Sequence, residues 1–158
     1  MKSNTLTAIV VAVVLIGGAY LLVNGSSSTG DVAKSASAIS LDREIHDFGE
    51  IDIYGGLVTT DFTLTNEGSE DVVITAATTS CACTSGEIDG ALFGMHDQIS
   101  GDIVVPAGES KTLKAIYDPL AHGPSGVGLV NRILYLQTNS EVTPTVEARI
   151  RALVVNKS

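Results

Sequence analysis

The segment TTSCACTSG, from Thr78 to Gly86, holds both cysteines of a 158-residue chain, Cys81 and Cys83, with a single alanine between them. Thiols this close can clip a metal, close a disulfide, act as a redox pair, or serve as two small side chains in a core. At a strand end, residues i and i+2 share a face, so both sulfurs can point one way, as a two-thiolate clip requires. Zinc would complete such a clip with imidazoles in a near-tetrahedral set. Copper(I) would accept fewer ligands and favour sulfur. The candidate metal ligands are therefore Cys81, Cys83, His96 and His122, with Met95 joining them if the ion is copper(I).

Each of these residues also has a plainer reading. Oxidation of the pair would abolish thiolate ligation, although residues two apart on an extended strand stand near the upper Cα limit for a disulfide. Cys81 and Cys83 can equally be small buried side chains, and Met95 can pack with Leu92 and Phe93. His46 suits a turn bonded to its neighbour Asp47 better than a ligand role. Spacing alone leaves these alternatives open. Thiol oxidoreductases usually carry Cys-x-x-Cys at a helix start, which lowers the thiol pKa, and that motif is absent. So are G-x-S-x-G, a phosphate loop and HExxH. No enzymatic chemistry is expected.

Composition narrows the partners. A formal net charge of −9 repels phosphate, which argues against nucleic acid. Tryptophan is absent and other aromatics are few, so a stacking platform for bases or sugars is not expected. The length suits one domain with an ordinary core.

The apolar excess lies at the N-terminus. An uncharged stretch from Leu6 to Val23 is about as long as a helix that crosses a bilayer. It reads as a retained anchor or a cleaved signal peptide. The anchor is favoured because the best cleavage-like triplet, Ala36-Ser37-Ala38, stands well past the apolar run. Lys2 and the amino terminus favour the cytoplasmic side, so the rest of the chain is expected outside the cell membrane, or secreted if the segment is cleaved. Residues 1–23 form the expected anchor, 24–38 a flexible Ser/Gly-rich tether, and 39–158 the folded domain.

That domain reads as β-structure. In GLVTTDFTLTNEG, Val58, Thr60, Phe62 and Leu64 share a face; in PTVEARIRALVV, Val146, Ala148, Ile150, Ala152 and Val154 do the same. Period-two alternation with polar residues opposite marks half-buried antiparallel strands. Turn signals divide the domain into about seven strands, near 40–46, 57–66, 71–78, 102–105, 111–117, 128–138 and 145–155. The expected fold is an all-β, immunoglobulin-like antiparallel sandwich. Alternating strand directions then carry His46, both cysteines, the 84–101 connection with Met95 and His96, and the His122 loop to one pole. That pole is the one away from the entering tether.

The segments IHDFGEI, GLVTTDFTLTNEGSEDVVI, TSCACT, VPAGESKTLKAIYDP and LYLQTN, in this order, resemble a bacterial extracytoplasmic family, domain of unknown function 1573. Its domains are immunoglobulin-like, of the ASPM–SPD-2–Hydin type, and the resemblance spans about residues 40 to 155. The family more usually places glycine between the two cysteines, where this chain has Ala82. The resemblance implies the fold and leaves activity open. The expected function is a membrane-tethered, non-enzymatic binding or structural module that meets another surface or envelope protein. The alternative is a copper- or zinc-binding protein with its site at the membrane-distal pole.

Overall fold

The computed structural model describes residues 32–157, among which the chain forms ten strands in two five-stranded sheets. The first sheet, in spatial order, contains β1 (Ile39–Leu41), β3 (Val58–Asn66), β8 (Ser110–Tyr117), β5 (Thr84–Ile88) and β6 (Ala91–Gly94). The second contains β2 (Ile45–Asp52), β10 (Thr145–Val155), β9 (Gly128–Thr138), β4 (Val72–Thr79) and β7 (Ile99–Val105). The expected membrane helix lies outside the described residues. Among the described residues no helix is long and apolar enough to cross a membrane.

The alternation seen in the sequence sets the inner faces. Phe62 and Leu64 of β3, Ile74 of β4, Leu134 and Leu136 of β9, and Ile150 and Ala152 of β10 are all buried. All but Ala152 form one core cluster with Leu113, Ala115 and Tyr117 of β8. Removing this much apolar surface from water is the main favourable term for a sandwich.

Three features depart from the seven-strand expectation. The expected first strand breaks at Asp42–Glu44. Asp42 hooks onto β3, donating its N–H to the Thr63 carbonyl at 3.1 Å and accepting the Thr63 N–H on Oδ1 at 2.7 Å. Arg43 lies over the Phe62 ring at 5.0 Å and donates to Thr60 Oγ1 and the Asp61 carbonyl. Past this polar clasp the chain crosses to the other sheet, where β2 pairs with β10 in parallel. The second sheet is thus mixed rather than purely antiparallel. His46 sits opposite Ile150 near the start of β2, and the turn around Tyr54–Gly56, not His46, reaches the strand's far end.

The second departure is the 84–101 connection, which is not an open loop. It contains the β5–β6 hairpin, with Ile88 paired to Ala91 across Asp89-Gly90. Both turn residues have positive φ, 52° and 79°, as the favoured two-residue hairpin turns demand. Gly86 pairs with Phe93, whose ring occupies the space a Cβ at position 86 would need, 2.2 Å from Cζ. Third, β7 begins at Ile99, three residues before the strand read from sequence.

At the pole where the described chain enters, polar side chains are buried and bonded. Ser35 and Ser37, at the end of the stretch expected as a tether, are only 2% and 4% exposed. Ser35 donates its N–H to the Asn139 carbonyl at 3.0 Å, and Ser140 Oγ donates to the Ser37 carbonyl at 2.6 Å. Asn66, fully buried, donates from Nδ2 to the carbonyls of Glu70 and Val105 and accepts the Gly68 N–H. β4 and β8 both run from this pole to the opposite one, and their far ends position the cysteines.

Candidate functional site at the disulfide pole

Cys81 and Cys83 lie in the turn that carries the chain from β4 in one sheet to β5 in the other. Thr79, paired with Leu134, is the last residue of β4, and Ser80 extends the ladder with a 2.9 Å bond to the Ile133 carbonyl. The turn closes with the Thr84 N–H on the Cys81 carbonyl at 3.1 Å. Thr79 Oγ1 reaches both the Cys81 and Thr84 carbonyls, and the Asp118 N–H at the end of β8 donates to the Cys83 carbonyl at 2.9 Å.

The two cysteines are joined in a disulfide, with their Cα atoms 5.2 Å apart. This is inside the usual disulfide range, because the cysteines occupy a turn and not the extended strand assumed from sequence. The oxidised pair has no thiolate to offer, so the two-thiolate clip does not exist in this state. The bridge also links nothing distant. Closing a ring of so few residues removes about 1.6 kcal/mol of chain entropy, roughly half of what a 15-residue loop gives.

Each sulfur has its own nitrogen partner. His122 lies in the turn after β8, a segment organised by Asp118, whose Oδ1 accepts the Leu120 N–H at 2.9 Å, and by the Gly123 N–H on the Leu120 carbonyl at 2.8 Å. Gly123 takes φ +71°, a conformation that suits glycine. This turn places His122 Nε2 3.2 Å from Cys81 Sγ. On the other side Arg132 Nε donates to Cys83 Sγ at 3.1 Å. Cys83 is buried at 2% exposure, Cys81 is half-buried, and His122 is exposed. Tyr117 is buried beside this end. Burial pushes its hydroxyl pKa up, the nearby Arg132 charge opposes that rise, and Asp118 adds to it.

Of the residues named from sequence, Cys81, Cys83 and His122 come together, with ligand atoms within 4.8 Å of one another. His96 stands outside that set among the described residues. Met95 and His96 occupy the exposed bend between β6 and β7, where they line a shallow groove with Ala82, Leu92 and Phe93. Arg132 was missed. Its signal was available: residues 130, 132, 134 and 136 of β9 alternate inward, and a charge in that series marks an end of the core where an ion has a partner.

Together these features define an immunoglobulin-like β-sandwich with a very short disulfide ring, flanked by two basic side chains, at one pole. A family model described as "Protein of unknown function (DUF1573)" matches residues 39–154, and the chain belongs to that family. A solved protein of unknown function from Porphyromonas gingivalis is 15% identical with a TM-score of 0.60, over 81% of this chain and 51% of that one. The present chain therefore spans about half of that structure, and the likeness concerns the fold alone. The ASH/PapD-like domain of human CEP192 is 12% identical with a TM-score of 0.48, over 85% of this chain and 98% of that domain. The secreted serine protease VesC from Vibrio cholerae is 17% identical with a TM-score of 0.48, over 74% of this chain and 23% of that one. No curated protein matches the chain.

Proposed function

We propose that this protein is a membrane-tethered, extracytoplasmic, non-enzymatic binding or structural module that docks another surface or envelope protein. The observation that carries this reading is the oxidised Cys81–Cys83 pair in a chain that opens with the apolar run Leu6–Val23, since disulfides persist in oxidising compartments. Exposed apolar side chains near the disulfide pole support a protein partner. Leu129, 82% exposed, is paired in register with Leu153, and Leu120 and Val127 are exposed in the preceding turn and linker. Large side chains of this kind are suited to burial in an interface.

The test is fractionation of cells that make the native protein, combined with mass spectrometry of its N-terminus and protease treatment of intact cells. The expected result is an intact N-terminal segment in the membrane fraction and a domain cleaved from outside. A soluble protein protected inside the cell would overturn the reading.

A second reading, metal binding, is favoured by the convergence of Cys81, Cys83 and His122. It applies to the reduced protein, whose two thiolates and one imidazole suit copper(I) better than zinc, because zinc would need a fourth ligand. Elemental analysis of the reduced full-length protein after incubation with copper(I) tests it. One copper per chain, lost on reoxidation, is the expected result; metal-free reduced protein would end it.

A further inference from the structure

We propose that the Cys81–Cys83 disulfide is a redox-active site that exchanges stoichiometrically with a dithiol, with His122 and Arg132 as its working partners. This goes beyond the tethered-module reading and does not depend on it. The inference rests on three observations at one place. The bridge closes a ring with a single intervening residue, so it cross-links no separate parts of the fold. Its two cysteines are unequal as residues: both are buried as ligand positions, yet Cys81 as a whole keeps some exposure and has the exposed His122 beside it, whereas Cys83 is only 2% exposed. Each has a different basic side chain beside it: His122, itself exposed, places Nε2 3.2 Å from Cys81 Sγ, and Arg132 Nε donates to Cys83 Sγ at 3.1 Å.

That asymmetry orders the exchange, in which a thiolate attacks one disulfide sulfur and the other leaves. The incoming dithiol attacks Cys81 Sγ, the sulfur beside the exposed imidazole, and gives its proton to the lone pair of His122 Nε2, the ring carrying its own proton on Nδ1. A bond forms between that thiol and Cys81 as the Cys81–Cys83 bond breaks, and Cys83 leaves as a thiolate held by the Arg132 guanidinium. Charge-assisted bonds of this kind are stronger than those to a neutral group. The second thiol of the same molecule then attacks the mixed disulfide on its own sulfur. Cys81 is released and takes back the proton from His122, while the second thiol's proton passes to Cys83 or to solvent. Two electrons have moved from the dithiol, now an intramolecular disulfide, to the protein, now a dithiol. The reverse sequence reduces a partner disulfide and restores the Cys81–Cys83 bond. The covering of Cys83 by the fold leaves Cys81 as the point of entry in both directions.

The experiment uses the full-length protein in detergent at fixed pH, with dithiothreitol as the dithiol, alkylation at timed intervals and mass spectrometry to count free thiols. The folded state is followed by circular dichroism in parallel. The wild-type protein should gain two thiols while it keeps a cooperative melt. His122→Gln should slow the reaction at least about tenfold, in line with loss of a positioned acid–base group. Arg132→Gln should shift the equilibrium about tenfold toward the disulfide, and Arg132→Lys should recover part of that shift. A disulfide that resists dithiothreitol until the protein unfolds would overturn the proposal. So would a folded His122→Gln variant that exchanges at the wild-type rate. His122 is exposed and outside the core, so this second arm stands even if the Arg132 variants fail to fold.

Discussion

The two ends of the sandwich bury polar groups in opposite ways. At the entry pole, Asn66 is fully buried and its amide is bonded on both sides, and Ser37 and Ser140 tie the incoming chain to the 138–143 turn. Gly68 packs so closely that a Cβ there would come within 2.1 Å of Ser37 Oγ and 2.7 Å of its Cα. At the disulfide pole, two sulfurs lean on a half-buried arginine and an exposed histidine. A fully satisfied buried network rigidifies and is costly to disturb. The disulfide pole instead pairs a bridge that links nothing distant with a basic group beside each sulfur. Around the apolar core, buried hydrogen bonds fasten one end of the sandwich, and the covalent bridge at the other end adds little.

Breaking the core between the poles should have the largest effect. Phe62→Ala removes a fully buried ring that also carries Arg43, and should destabilise by about 3–5 kcal/mol in chemical denaturation. Asn66→Ala should cost about 3 kcal/mol, because it strands the Glu70 and Val105 carbonyls and the Gly68 N–H. A near-neutral Asn66→Ala would dissolve the contrast between the poles. Replacing both cysteines by serine should cost less, about 1.6 kcal/mol from the ring entropy, less whatever the new hydroxyls recover by bonding to His122 and Arg132.

The pH dependence should be smaller still. Asp47 accepts the Gly49 N–H at 2.9 Å and pairs with Arg151 at 2.8 Å, and these hold its pKa below the ordinary 3.8. A depressed folded pKa contributes stability that is present above the unfolded value and is lost as pH falls through the folded one. Acid unfolding below about pH 4 should therefore be blunted in Asp47→Asn, as read from melting curves at a series of pH values. Tyr117 works at the other limit. Burial raises its pKa above 10.0, so its stabilising effect is present below that pH and is lost as pH rises through the folded value. Tyr117→Phe should flatten that alkaline loss.

Much of this was legible in the sequence, for a physical reason. Strict alternation along β3 and β10 reports directly which side chains turn inward: the whole expected face of β10 is buried, as are Phe62 and Leu64 of β3, while Val58 and Thr60 are half-buried. Reversal of strand direction was enough to bring His122 to the cysteines. The same reasoning failed for His46, because the adjacent charged residues Asp42, Arg43 and Glu44 break the strand and send β2 to the other sheet. Those charges were a usable signal. So was Asp89-Gly90 between Ile88 and Ala91, a hairpin turn signature hidden inside a stretch read as one long connection. Arg132 escaped notice because an inward charge looks like a lapse in the pattern until its partner, a sulfur from another strand end, is known. The oxidation state of a Cys-x-Cys pair is not encoded in its spacing, since strand and turn place the Cα atoms differently.

On this reading the entry pole holds its end of the fold by hydrogen bonds, while the disulfide pole is free to change its covalent state. The most direct measurement compares thermal melts of the wild-type protein, with and without dithiothreitol, against oxidised Asn66→Ala. Reduction should lower Tm by about 5–10 °C and leave a single cooperative transition, as expected for a loss of about 1.6 kcal/mol. Asn66→Ala should lower it further. If reduction instead abolishes the cooperative transition, or lowers Tm more than Asn66→Ala does, the disulfide is the fastener and the account is wrong.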